Sequence, residues 1–461
     1  PYTPKVQEIW LDYSARSARV ALDEASPTSF EAAQLQFFHV DALGVSREHP
    51  WLLLQREPAA AWTTVGLLPG HTQAGSWWIG LTGVTGGDSL SLLVQLAEGS
   101  ADPQAQPQRV SWAVLVDNAW RELLPGELLD GTDGLRRSGL VQIALPTGAD
   151  TQATRCDTDA VWLRASVAAE PQAVCKILAV HANAVEVEFI DQGNDPLRLA
   201  QPLAAGSIGK LTTALPAVKG VRQPYPSFGG ALQEGDAALA RRAAERLRHR
   251  GRAITAWDAE RLVLQAFPSV YRAKCLPHAR PGSWQAAGHA MLLVLPDLRR
   301  SPARDRLQPR VDLDTLARIG ALLRERGGLQ LQWHVCNPRW RRVQLEFKLR
   351  LRPGWAWNPQ VAALQEALVT QLSPWAAGGQ GDSAGAPAGS MPELGVRILR
   401  SALLAFIEAR PEVDHVTDFH LWLEGAPGSA ATDVAEALPE APDIILVSAP
   451  AHRIVELTSD V

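Results

Sequence analysis

Over residues 1–205 the apolar positions fall in short runs interrupted by turn-forming residues. Segments 76–81, 89–95, 110–115, 140–145 and 161–165 each read as a strand. Short strands at regular spacing predict a β-sandwich. Residues 185–189, Val-Glu-Val-Glu-Phe, alternate strictly, which predicts a strand with one wet face. Asp117-Asn118 lies between the run ending at Val116 and the one carrying Trp120, where a hairpin turn is expected.

The pattern then changes. Residues 206–230 are rich in Gly, Pro, Ser and Thr, lack a period, and read as a linker. From about 235 to 250 the spacing becomes helical. Leu239, Ala240, Ala243, Ala244 and Leu247 form one face, the arginines take the other, and Gly251 ends the helix. Thr255 with Asp258 three residues later forms a capping-box pattern, so a second helix starts there. Its apolar face is Leu262, Val263, Ala266 and Phe267, and Pro268 stops it.

Beyond this pair a coarse theme repeats, a helix followed by two strands. Strands are predicted at 271–276, 290–295, 329–335, 341–351, 413–423 and 443–447, with helices at 313–326, 359–372 and 393–409. Small sheets with helices on one face make an α+β pattern. Residues 376–391 are a Gly/Ala/Ser-rich flexible loop.

A length of 461 residues allows about two to four domains at roughly 150 residues each. The expected fold is therefore multidomain, an N-terminal all-β, sandwich-like region followed by α+β domains of small sheets and helices. The 44 basic and 49 acidic residues give a net charge of -5, which argues against a chain whose main task is coating nucleic acid. Four dispersed cysteines suit free thiols in a reducing cytoplasm. No apolar run near either end is long enough to span a bilayer, and the start has no signal-peptide pattern. The chain opens on Pro1, which leads us to expect a preceding portion in a longer polypeptide. Sixteen Trp against four Tyr favours large anchors for cores and interfaces, a bias toward assembly.

Candidate chemistry is thin. Gly381-Asp-Ser383-Ala-Gly385 satisfies a nucleophile-elbow pattern, but no strand leads into it, so Ser383 lacks the rigid turn a hydrolase needs. Residues 206–211 echo a phosphate loop, but Ala204 ahead of them and Leu211 stand where the pattern requires a glycine and a hydroxyl. Cys275 with His278 and His289, and His334 with Cys336, do not make paired ligand clusters. Cys275 reads as a small buried residue, and neither a metal nor another cofactor is expected. The strongest cluster is Arg241, Arg242, Arg246, Arg248, Arg250 and Arg252 with His249, followed by Trp257. Guanidinium forks suit phosphates, so a nucleic-acid or polyanion-binding module using residues 239–252 is one reading. Without interleaved aromatics, and with a net negative charge overall, a solvated helix face or an interface that meets acidic partner surfaces is the better one. A smaller patch surrounds Trp340 at Arg339, Arg341 and Arg342, where a cross-strand structural role is expected.

Residues 224–276 carry a P-x-F-G-G turn, the arginine-rich helix, the entry Arg-Ala-Ile-Thr-Ala-Trp-Asp and the exit Phe-Pro-Ser-Val-Tyr-Arg-Ala-Lys-Cys. In these the chain resembles the baseplate J-like family, the wedge proteins of contractile phage tails and related contractile injection systems. The opening PYTPKVQEIWLDYSA, the stretch around WIGLTGV, Val161–Ser166 and the closing residues 444–454 resemble the extracellular injection-system branch of these phage tail-like particles. The resemblance implies a structural, non-enzymatic subunit in a multisubunit ring around the central spike and hub, joined to the sheath and passing on the trigger for its contraction. It implies as partners other wedge subunits, neighbouring copies of the chain, and sheath and spike or hub proteins, with neither nucleic acid nor membrane insertion. It also implies assembly in the cytoplasm of the producing bacterium. On this reading the domains are 1–205, the linker 206–230, a family core at 231–300, 301–375, the loop 376–391 and 392–461. The expected interface is Arg241, Arg242, Arg246, Arg248, Arg250, Arg252 and Trp257, and the expected hinges are Gly229, Gly230 and Gly251.

Overall fold

The computed structural model describes residues 2–16, 36–49, 51–52, 66–149, 151–156, 159–298, 305–373, 375, 396–425 and 430–457. Ser383 and its glycines, with the loop 376–391, lie outside the described residues. The chain divides into two compact units, Pro1–Ala101 with Ala105–Glu186, and Asp102–Gln104 with Val187–Val461.

The first unit is all-β. A hairpin of β1 (Phe37–Val40) and β2 (Val45–Glu48) precedes β3 (Gly75–Leu81), β4 (Ser89–Ala97), β5 (Ser111–Val116), β6 (Ala119–Glu122), β7 (Leu128–Asp130), β8 (Gly139–Ala144), β9 (Val161–Val167) and β10 (Lys176–Ala182). Two four-stranded antiparallel sheets form, in the orders β10-β4-β8-β7 and β3-β9-β5-β6. Alternate residues of both meet in one core, Leu92, Val94 and Val141 from the first sheet with Trp112, Val161 and Leu163 from the second. This is the predicted sandwich, and each of the five apolar runs is a strand in it. Asp117 and Asn118 form the β5–β6 turn with φ of 48° and 59°. Residues of this type tolerate that region best. The Asn118 carboxamide oxygen also accepts from the Thr154 and Arg155 backbone N–H groups at 2.7 and 3.1 Å.

One predicted strand is absent. Residues 185–189 join no ladder, and Val185, Val187 and Phe189 are all exposed. Alternation marks what a strand would bury, but a strand also needs an edge to pair with.

In the second unit, residues 201–235 contain neither helix nor strand. They are nevertheless organised. The Ser227 N–H donates to Leu203 O and the Gly206 N–H to Gln223 O, both at 2.9 Å, so the segment between them is a closed loop. Then follow α1 (Asp236–His249), α2 (Ala256–Ala266), β11 (Val270–Pro277), β12 (His289–Pro296), α3 (Leu313–Arg326) and β13 (Gln332–Cys336). Strand β12 pairs antiparallel with β11 and parallel with β13. Val263 of α2, Phe267 just after it, and Ile319 and Leu323 of α3 share a core with that sheet. The sheet thus takes strands from both sides of residue 300, and α3 serves it as the helix covering a parallel crossover. Gly327 lies where the end of α3 meets residue 253, and a Cβ there would come within 2.6 Å of Leu323 O.

The remaining elements are β14 (Arg339–Leu351), α4 (Trp357–Leu372), β15 (Ile398–Leu399), α5 (Arg400–Glu408), β16 (Val413–Leu423), β17 (Thr432–Asp433), β18 (Glu436–Ala437), β19 (Ile444–Ser448) and β20 (Arg453–Glu456). Strand β14 is central, antiparallel to β16 and parallel to β19 and β20. Val343, Leu345, Phe347 and Leu349 alternate onto one face, where Leu364, Leu368 and Leu372 of α4 and Leu403 and Ile407 of α5 cover them. The helix expected from residue 393 starts at Arg400, because Ile398–Leu399 pairs with β18 instead. Among the described residues no helix is long and apolar enough to cross a membrane.

Candidate functional site: an arginine-rich helix seated by its charged face

Helix α1 has Asp236 in its first turn and Arg246, Arg248 and His249 in its last, an order that suits the helix dipole. It stops because Arg250 and Gly251 both take left-handed backbone, with φ of 52° and 71°. Helix α2 begins with the predicted capping box. The Thr255 hydroxyl accepts from the Asp258 N–H at 3.1 Å while the Asp258 carboxylate accepts from the Thr255 N–H at 2.9 Å.

The contacts that hold α1 to α2 are polar and aromatic. Glu245 pairs with Arg261 at 3.5 Å. The Arg248 guanidinium lies 3.9 Å above the Trp257 ring, and the His249 ring stands 6.4 Å from the same indole. His249 is buried, and its Nδ1 accepts from the Gly251 N–H at 2.9 Å. Arg242 and Glu245 are half-buried. By contrast the predicted apolar face is open: Leu239 is 45% exposed, Leu247 is 76% exposed, and Ala240, Ala243 and Ala244 are exposed with them. An amphipathic helix normally seats on its apolar face. This one seats on its charged face.

Of the six arginines, Arg242 pairs with Glu234 at 2.8 Å and Arg248 is used on Trp257. Arg241, Arg246, Arg250 and Arg252 are exposed and have no carboxylate partner among the described residues. Of the glycines named as hinges, Gly229 has φ of 77° in open space, Gly230 lies beside Leu199, and Gly251 lies near the Arg326 guanidinium.

The other candidates are structural in their geometry. Cys275 is buried, and burial followed by the charge of Glu260 pushes its thiol up to about 12. Burial and then Asp443 push Cys336 up to about 11. Neither thiol forms a reactive thiolate near neutral pH. His289 Nδ1 and His334 Nε2 share a hydrogen bond at 2.9 Å across β12 and β13, and burial followed by the nearby His289 and Arg280 lowers His334. Among the described residues no group of three or more His, Cys, Asp or Glu is arranged to hold a metal ion.

A serine–histidine pair that sequence reading missed joins the last residue of β19 to the residue just before β20. Ser448 Oγ lies 3.2 Å from His452 Nε2. His452 Nδ1 accepts from the buried Leu345 N–H at 3.1 Å, which leaves Nε2 carrying the proton. Nε2 therefore donates to Ser448 Oγ, which donates to Ala449 O at 2.8 Å. The imidazole is turned the wrong way to take a proton from the serine.

A family model described as baseplate protein PVC11-like matches residues 61–449. A search of the solved structures finds the anti-feeding prophage (AFP) baseplate, seen by six-fold symmetrised cryo-electron microscopy. The match has 18% identity and a TM-score of 0.39, over 82% of this chain and 77% of that one. No curated protein matches.

Proposed function

The chain belongs to the PVC11-like family of baseplate proteins, structural components of contractile injection systems, and from that premise we propose that it is a wedge subunit. In this reading it builds the ring around the spike and hub, joins that ring to the sheath, and passes on the trigger for contraction. Its partners are other wedge subunits, neighbouring copies of itself, and sheath and spike or hub proteins. It performs no catalysis, and it assembles in the cytoplasm of the producing bacterium. The observation that carries the reading is the family match, which extends through both compact units.

Two features support the assembly role. Arg241, Arg246, Arg250 and Arg252 present guanidinium groups that suit carboxylates of neighbouring subunits, with Arg248 and Trp257 holding the helix that displays them and Arg242 paired to Glu234 just ahead of it. Gly229, Gly230 and Gly251 are the points at which rigid bodies turn when the baseplate reorganises. The test is removal of the chain from a producing strain, followed by electron microscopy of purified particles. The expected result is loss of particles that carry both a baseplate and an extended sheath, with recovery on complementation. Intact six-fold baseplates formed without the chain would overturn the reading.

A further inference from the structure

Helix α1 displays its apolar side to solvent while its charged side is fastened to α2, and from this we infer the chemistry of what covers it. The occupant is an acidic amphipathic helix from another baseplate subunit. This deepens the wedge reading and rests on it.

At 3.6 residues per turn, Leu239, Ala243 and Leu247 stack in one line, with Ala240 and Ala244 beside them. Small residues between two leucines leave a shallow groove into which a partner's side chains fit. Arg246 borders this stripe on one flank and Arg241 on the other, both exposed and without a carboxylate partner among the described residues. From 241 to 252 the chain carries six arginines against the single carboxylate Glu245, which is already paired to Arg261. A complementary partner therefore has apolar residues at helical spacing, flanked on both sides by Asp or Glu.

The same charges oppose parallel self-pairing. Two copies of α1 laid stripe to stripe in parallel would set arginine flank against arginine flank and Asp236 against Asp236. A phosphate backbone fits less well than a helix, because it would satisfy the arginines and leave Leu239 and Leu247 in water.

The experiment places a photo-crosslinking amino acid at Ala243 in the full chain and irradiates assembled native particles. The expected product joins Ala243 to another baseplate subunit, at a segment with apolar residues three or four apart and Asp or Glu on their flanks. A crosslink to nucleic acid, to a second copy's α1 or to a segment without flanking acids overturns the inference, as does a particle that assembles with no crosslink. A second arm uses Leu239→Ser with Leu247→Ser. Both side chains are exposed, so the purified variant keeps the wild-type thermal midpoint, and its incorporation into particles falls roughly tenfold or more. Normal incorporation of the double variant overturns the inference while leaving the wedge reading intact. That reading fails separately, if particles form without the chain at all.

Discussion

The Arg248 guanidinium lies 3.9 Å above the Trp257 ring, so one arginine of the cluster clamps α1 to α2 while its neighbours stay exposed. Removing the ring should loosen α1 without unfolding the core beneath it, because Trp257 is only half-buried and α1 adds no apolar side chain to that core. Trp257→Ala is expected to cost about 1 kcal/mol of α1 docking, roughly a fivefold rise in local opening. Hydrogen exchange should accelerate in residues 236–249 and stay unchanged in β12. Trp257→Phe should recover part of the protection.

A pH effect follows from His452. Burial pushes its imidazole down to about 4, against an ordinary value of 6.5. Folding thus disfavours the protonated form. The full stability is present above pH 6.5 and declines as pH falls toward 4, by about 3 kcal/mol in total. Hydrogen exchange of peptides spanning β19 and β20, followed between pH 7 and 4, should show the decline. His452→Gln should start lower at pH 7, by about 1–3 kcal/mol, because the Leu345 N–H loses its acceptor, and should have a flatter profile.

What the sequence reveals here depends on how far apart the cooperating residues lie. The capping box needs only Thr255 and Asp258, and both the spacing and the geometry agree. The Asp117-Asn118 turn is equally local. Periodicity also located the apolar face of α1, since Leu239, Ala243 and Leu247 recur every four residues. It could not tell whether this chain supplies a cover for that face. The same gap explains residues 185–189, whose alternation is real and whose ladder partner is absent. The His452 site was illegible for another reason: its ring, carbonyl and N–H meet Leu345, Gln365 and Ser448, which three different elements bring together. Pairing of β12 with β13 across α3 is likewise a tertiary fact, and it joins strands that the helix-then-two-strands theme had kept apart.

Thr255 and Asp258 satisfy each other's backbone donors, so they should behave as one unit. Thr255→Ala is expected to destabilise α2 by about 1 kcal/mol, and Asp258→Ala by a similar amount. The double variant should cost clearly less than their sum, since either single change already breaks the reciprocal pair. Denaturant titration of the three variants measures the coupling, and full additivity would contradict a closed box.

The last expectation concerns the stretch read from sequence as a linker. A linker sets the reach between what it joins, so shortening it should pull the flanking parts together. The bonds from Ser227 to Leu203 and from Gly206 to Gln223 give these residues a different character. They form a closed loop whose two ends are already side by side, with Ile208, Leu211, Leu215 and Val218 exposed along it. Replacing residues 207–221 by Asn-Gly should therefore leave the fold intact. Loop closure becomes easier by roughly 0.6 kcal/mol for each halving of length, a small gain in stability. The Ile208 N–H, which donates to the Gln223 carboxamide at 3.1 Å, leaves with the loop, as do the Ser207 N–H and hydroxyl, which donate to Ala204 O at 3.2 and 2.7 Å. Melting at or slightly above the wild-type temperature, combined with loss of incorporation into particles, would identify the loop as an assembly element. A lower melting temperature would mean that these residues support the fold itself, and normal incorporation would mean that their apolar side chains meet no neighbour.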